Sequence, residues 1–322
     1  MDTKALEARL AAAWPEGEVC TAAYLRMAGI GERQLAAAVA AGLLVRVRRG
    51  AYAVASAWRT LAPWERQPRR LEAHIRTVSG AVYSHSSAAI LHGGRVWEAG
   101  ENVHVTTVYR NGQRNHGTDV TAHCHQLPEA AGVAVDSPWG PVTATSRART
   151  AVDCARTLPL EKGLVIVDSL LADGLSREAV AAELEAATTT RGISVARRVL
   201  ALADSRSESV GETRLRLLMS LFGIPEPVLQ LWLTTTEGHH RVDFAWPEAM
   251  LIVEFDGEGK YSQQGTPQQA VLAERRREAA LMERGWRFIR IRWSDLERPE
   301  EIRRRIMSKL SGYVVPARRT AA

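Results

Sequence analysis

The segment MLIVEFDG, residues 250–257, constrains the chain most, because five of its first six residues are apolar. A strand of this kind needs cover on both faces, as in the middle of a sheet with helices on either side. Glu254 and Asp256 sit two apart within it and therefore point to the same face. Upstream, RVDFAW forms another strand, and Pro247-Glu248-Ala249 turns the chain between the two, which sets Asp243 roughly opposite Glu254. Three carboxylates, Asp243, Glu254 and Asp256, are thus expected at the end of an otherwise apolar sheet, where isolated buried charges are costly.

A hard divalent cation, Mg2+ or Mn2+, relieves that cost. Carboxylate oxygens are its preferred ligands, and its charge offsets their mutual repulsion. Lys260, four residues past Asp256 in GEGKY, would orient or help to deprotonate an attacking water, and metal-assisted phosphodiester hydrolysis is the chemistry such a set performs best. The alternative for the same acids is an ion-pair network with Arg241, Arg290 or Arg292.

Ahead of the strands, SESVGETRLRLLMSLFG reads as a helix. Ser209 stands three residues before Glu212 in capping-box spacing, and Leu215, Leu218, Met219 and Phe222 follow at helical intervals before Gly223. Glu212 shares the stripe of Leu215, Met219 and Phe222, so it is either a site carboxylate or a capping residue. A helix over about 267–284 carries Arg275, Arg276 and Arg277. Arg275 and Arg276 are assigned to DNA phosphate; the alternative is a solvated face with Glu274, Glu278 and Glu283 in i,i+4 pairs. Trp286 and Trp293 are expected in the core.

The N-terminal segment reads as three helices and a two-stranded ribbon. Helices are expected over Lys4 to Trp14, from a Thr21 cap to Met27, and over Glu32 to Ala41, with a turn at Gly29-Ile30-Gly31. In LLVRVRRGAYAVA, Leu43, Val45 and Val47 alternate with Leu44, Arg46 and Arg48, the chain turns at Arg49-Gly50, and Tyr52 to Val54 return. This is the pattern of a winged helix-turn-helix. From Arg26 to Arg76 there are ten basic residues against three acids, which points to DNA contact through Arg46, Arg48 and Arg49 on the wing.

The middle of the chain reads as a mixed α/β platform. A helix opens at Ser84 or Ser86, VHVTTVY is a strand, and a helical run extends from Ser146 through Leu171 to Ala187. Successive side chains of a strand point to opposite faces, so His123, Cys124 and His125 cannot converge on one zinc ion. Ser84 and Ser86 beside His85 read as caps rather than nucleophiles.

Apolar residues at 46% and charged residues at 24% exclude a disordered chain and a coiled coil. Cys20, Cys124 and Cys154 are too few and too scattered for a disulfide framework. No run approaches the roughly 18 apolar residues of a membrane span, and the acids of MDTKALEARLAAAW do not suit a signal peptide, so a cytoplasmic protein without a membrane partner is expected. A net charge of +6, rich in arginine, puts double-stranded or structured DNA first among partners; a homodimer or a partner protein stays open. At 322 residues two or three domains fit. The expectation is an α+β or α/β multidomain chain, with a winged helix-turn-helix over 1–70, a mixed α/β domain over 71–204 and a further α/β domain over 205–322.

SESVGETRLR, RVDFAWPE, LIVEFDGEGKY and RRREAALMERGWRFIRIRWSDL together resemble the DUF559 branch of PD-(D/E)XK nucleases, which is similar to very-short-patch repair endonucleases, over about Ser205 to Leu310. The resemblance implies a restriction-endonuclease-like α/β core over 205–322 with Mg2+-dependent DNA cleavage in repair or defence against foreign DNA, with Glu212 on the preceding helix, Asp243 as the motif aspartate and Glu254 as the second acid. Asp256 stands where the family pattern has lysine, so either Lys260 substitutes for it or Asp256 serves as a further ligand. The ribbon, YSHSSAAILHG, VHVTT and VTATSRARTAVDCAR resemble AbiEi-type antitoxins. That resemblance implies DNA binding without catalysis, and with it the alternative of a non-catalytic regulator on a nuclease-fold scaffold.

Overall fold

A computed structural model describes residues 3–310 apart from 16, 18, 108–117, 125–131, 189 and 258–266. Lys260 and His125 therefore lie outside the described residues. The chain is a mixed α/β protein that divides into two compact units, Met1–Ala203 and Asp204–Ala322. Among the described residues no helix is long and apolar enough to cross a membrane.

In the N-terminal unit, α1 (Thr3–Ala13), α2 (Ala22–Met27) and α3 (Glu32–Ala40) pack around Leu6, Leu10, Leu25, Ile30 and Leu35. Thr21 caps α2, its Oγ1 accepting from the Tyr24 N–H at 3.2 Å. The strands β1 (Cys20–Thr21), β2 (Leu44–Arg48) and β3 (Ala51–Val54) form an antiparallel sheet in the order β1-β3-β2. The β2–β3 turn passes through Gly50 at φ +82°, a region glycine enters without a Cβ clash.

One expectation fails inside β2. The register shifts between Arg46 and Arg48, and such a bulge leaves one residue unpaired and resets the alternation. Leu44 and Val47 are buried while Arg46 and Arg49 are exposed. Arg48 is instead drawn inward: its side chain is 9% exposed and its Nε lies 3.4 Å from Asp119 Oδ2.

After α4 (Ala55–Thr60), α5 (Pro63–Ile75) belongs to two cores at once. Ala73 packs with Val47, Ala51, Ala53 and Trp58, whereas Leu71 packs with Tyr83, Val103, Val105 and Ala144. The boundary expected at 70/71 falls within this helix. A five-stranded mixed sheet follows, in the order β6-β5-β4-β8-β7, from β4 (Val82–Tyr83), β5 (Val103–Thr107), β6 (Val120–Cys124), β7 (Gly132–Ser137) and β8 (Gly140–Thr145). α6 (His85–Leu91) lies between β4 and β5 in the chain, and α7 (Arg147–Thr157), α8 (Leu160–Ala172), α9 (Arg177–Glu185) and α10 (Ile193–Leu202) complete the unit.

The C-terminal unit runs α11 (Val210–Leu221), β9 (Val228–Thr235), β10 (Gly238–Trp246), β11 (Leu251–Asp256), α12 (Pro267–Glu283), β12 (Arg287–Arg292) and α13 (Pro299–Lys309). Its sheet has the order β12-β11-β10-β9, antiparallel except for the β11–β12 pair. As its composition requires, β11 is covered on both sides. Val253 and Phe255 pack with Leu215 and Met219 of α11 and with Ile302 and Ile306 of α13; Ile252 packs with Leu281 of α12 and with Trp286. Each such side chain contributes about 1.5–3 kcal/mol of burial. Gly211 sets the approach of α11, since a Cβ there would lie 2.0 Å from the Phe255 ring.

Candidate functional site

The hairpin register that pairs Phe244 with Val253 brings Asp243 level with Glu254 one step further on. Asp243 closes that end of the ladder with its side chain, Oδ2 accepting from the Phe255 N–H at 2.8 Å. Glu254 alternates with Val253 and Phe255 and so faces α12, as Ile252 does. Only 6% of Glu254 is exposed.

Such a carboxylate needs a counter-charge. Arg277 of α12 supplies it, donating from Nη2 to Glu254 Oε1 and from Nη1 to both Glu274 oxygens at 3.0 Å. Arg290, opposite Glu254 in the parallel register, lies 3.7 Å from Glu254 Oε2 and bonds Glu274 at 2.7 Å and Glu278 at 2.9 Å. Burial raises the Glu254 carboxyl above its ordinary range; Arg277 pulls the other way, and the neighbouring Asp243 pushes it further up. Burial opposes the charge on Arg277 and Arg290, yet the surrounding glutamates hold both protonated.

The remaining expected residues divide. Asp256 ends β11 with Oδ2 3.9 Å from Arg292 Nε. Of the arginines expected in a network with the strand acids, Arg290 and Arg292 take part, whereas Arg241 bonds Glu208 at 2.6 Å and lies over the Trp232 ring. Arg275 and Arg276 are exposed on α12, and the third arginine of the run reaches the acids. Glu212 is 3% exposed at the start of α11. Its N–H donates to Ser209 Oγ at 3.1 Å, and its carboxylate accepts from Ser209 Oγ, the Glu208 N–H and Gln230 Nε2 at 2.8, 2.9 and 2.9 Å. That is an extended capping arrangement.

Sequence reasoning overlooked Gln230. It takes φ +52° in the middle of β9, at the step where the register would set it opposite Asp243. A non-glycine residue in that conformation marks local strain; the one signal in the sequence is a polar residue interrupting Leu229 and Leu231.

Asp243 and Glu254 are hard oxygen donors from adjacent strands, a donor set that fits Mg2+ or Mn2+, which is commonly held by one or two carboxylates with water and phosphate completing its shell. The expected trio does not converge, however. Among the described residues, the single group with three candidate ligand atoms within 4.8 Å of one another is His85, His104 and His123 of the N-terminal unit.

No family model matches the chain. Two curated proteins of Mycobacterium tuberculosis, "Uncharacterized protein MT2308" of strain CDC 1551 / Oshkosh and "Uncharacterized protein Rv2248" of strain ATCC 25618 / H37Rv, are each 36% identical over 160 residues, which is 48% of this chain. The match spans 56% of those relatives, about half their length. The crystal structure of the RV2827C protein from Mycobacterium tuberculosis is similar over 67% of this chain and 81% of that one, with 16% identity and a TM-score of 0.37.

Proposed function

We propose that the protein binds double-stranded or structured DNA and hydrolyses its phosphodiester bonds with a divalent cation, in repair or in defence against foreign DNA. The observation that carries this reading is the pair Asp243 and Glu254, level on adjacent strands and close enough for one charge to raise the pKa of the other. Mg2+ or Mn2+ would be held by these two carboxylates, with Asp256 at the end of the same strand, and would supply Lewis-acid stabilisation and a more acidic water. Arg277 and Arg290 keep Glu254 in place, and Arg275 and Arg276 are exposed for phosphate contact. Lys260 keeps the water-orienting role that the sequence assigns it. In the N-terminal unit the order of three helices and a three-stranded sheet with an arginine-bearing hairpin supports a winged helix-turn-helix, with Arg46 and Arg49 as its backbone contacts.

A second reading, a non-catalytic DNA-binding regulator of AbiEi-like character, is favoured by the ion pairs: Glu254 is already countered by two arginines, and Asp243 already accepts a backbone N–H. Supercoiled plasmid incubated with the protein and Mg2+, Mn2+ or EDTA separates the two. The nuclease reading expects metal-dependent nicking or linearisation that EDTA abolishes. The regulator reading expects a gel shift of equal affinity in Mg2+ and EDTA, with the plasmid intact.

A further inference from the structure

The N-terminal unit gathers three imidazoles from distant parts of the chain. His85 begins α6, His104 is the second residue of β5, and His123 lies on β6, the edge strand of the five-stranded sheet. β5 and β6 run parallel with His104 opposite Thr121, so His104 and His123 are diagonal neighbours. His104 Nδ1 lies 2.8 Å from His123 Nε2. The rings of His85 and His123 stack with centroids 3.5 Å apart. His85 takes φ +51°, an unusual conformation for a histidine, at the turn from β4 into α6. Ser84, at the N-cap position of that helix, makes no capping bond with its hydroxyl, contrary to the sequence expectation; its Oγ lies 3.0 Å from His85 Nδ1. His85 and Ser84 are almost wholly buried.

Imidazole binds a metal through the bare nitrogen of its neutral form. When both rings of the His104–His123 pair are neutral, one nitrogen donates to the other and a single proton lies between them. A cation can take the place of that proton if the donor ring carries its hydrogen on its other nitrogen instead, so that both rings ligate as neutral imidazoles and no net proton is released. Three imidazole nitrogens with no carboxylate suit a borderline transition metal rather than Mg2+ or Ca2+. A tetrahedral Zn2+ requires its nitrogen ligands roughly 3.3 Å apart, so with all the nitrogens within 4.8 Å of one another only small shifts are needed, the His104–His123 pair parting from 2.8 Å and the His85–His123 stack tilting open. Ser84 would hold the His85 ring, the usual work of a group behind a ligand.

We infer that His85, His104 and His123 form a transition-metal site, with Zn2+ as its ion, that clips edge strand β6 to β5 and to the β4–α6 turn. The site is independent of the nuclease reading: its chemistry differs, and it lies in the other unit.

The test uses the full-length chain without a histidine tag, stripped with a chelator and titrated with Zn2+ by calorimetry. Co2+ serves as the spectroscopic probe. One Zn2+ per chain should bind more tightly than roughly 1 μM and raise Tm by about 5 °C at saturation, and Co2+ should give ligand-field bands typical of nitrogen coordination. His104→Gln and His123→Gln should each lose at least about 100-fold in Zn2+ affinity, and Ser84→Ala about 10-fold. The double variant Asp243→Asn/Glu254→Gln should retain the site, which separates it from the acids of the other unit. Absence of Zn2+ binding and Co2+ bands in the unmutated chain would overturn the proposal, whatever the folding of the variants. Full affinity in the folded His123→Gln protein, or loss of binding in the acid double variant, would overturn it equally.

Discussion

The two units concentrate titratable groups in opposite ways. In the C-terminal unit the carboxylates of Asp243, Glu254 and Glu212 are each engaged by a donor: a backbone N–H, a guanidinium, a hydroxyl or an amide. In the N-terminal unit His85, His104 and His123 stand ring against ring. The difference is one of charge. A buried carboxylate must recruit an opposite charge or a donor, and Asp243, Glu254 and Glu212 each recruit their own. An imidazole has one donor and one acceptor nitrogen and can bond directly to another imidazole, so such rings can pack together. Scattered histidines can therefore converge without any signal in the sequence.

The sharpest way to break the comparison is to remove the acids. Asp243→Ala and Glu254→Ala should each lower metal-dependent plasmid cleavage by roughly 10³-fold while DNA binding persists; undiminished cleavage in both would show that these acids are not the site. Glu254→Ala also strips Arg277 and Arg290 of a counter-charge and should destabilise the C-terminal unit by about 3 kcal/mol in urea unfolding. A change below about 0.5 kcal/mol would mean that the ion pairs do not lock Glu254. In the N-terminal unit, Arg48→Ala leaves Asp119 without its partner and should cost about 2 kcal/mol with no change in the salt dependence of DNA binding; a flatter salt slope would return Arg48 to the DNA surface. Glu212→Ala removes the acceptor for three donors and should cost about 1–2 kcal/mol, with less than a tenfold effect on cleavage. A complete loss of cleavage would make it a metal ligand. The smallest effect is expected of Arg46→Ala/Arg49→Ala, which should lower the slope of log affinity against log salt by about two; an unchanged slope would remove the hairpin from the interface.

Local rules carried much of the fold. The α11 cap, the Thr21 cap, the β10–β11 hairpin and the double cover of β11 depend on hydrogen bonds a few residues apart or on an apolar period, and both are visible in a single chain. Arginine was harder. Which member of the run Arg275, Arg276 and Arg277 reaches Glu254 depends on how α12 rotates when Leu281 seats on Ile252, and a shift of one residue turns a helix by about 100°. The bulge in β2 had no sequence marker, although it decides that Arg48 leaves the face of Arg46.

By itself the sequence determined the elements and their chemistry: an acid-bearing, apolar β11 that requires helices on both faces, a basic N-terminal segment, and a buried Glu212 at a helix start. Tertiary structure alone decided which of these groups meet. His104 and His123 are nineteen residues apart and become neighbours only through parallel pairing of β5 with β6. The physical reason is that periodicity and capping act over a few residues, whereas the position of a side chain in space is set by strand register and helix rotation, which burial of the whole core selects.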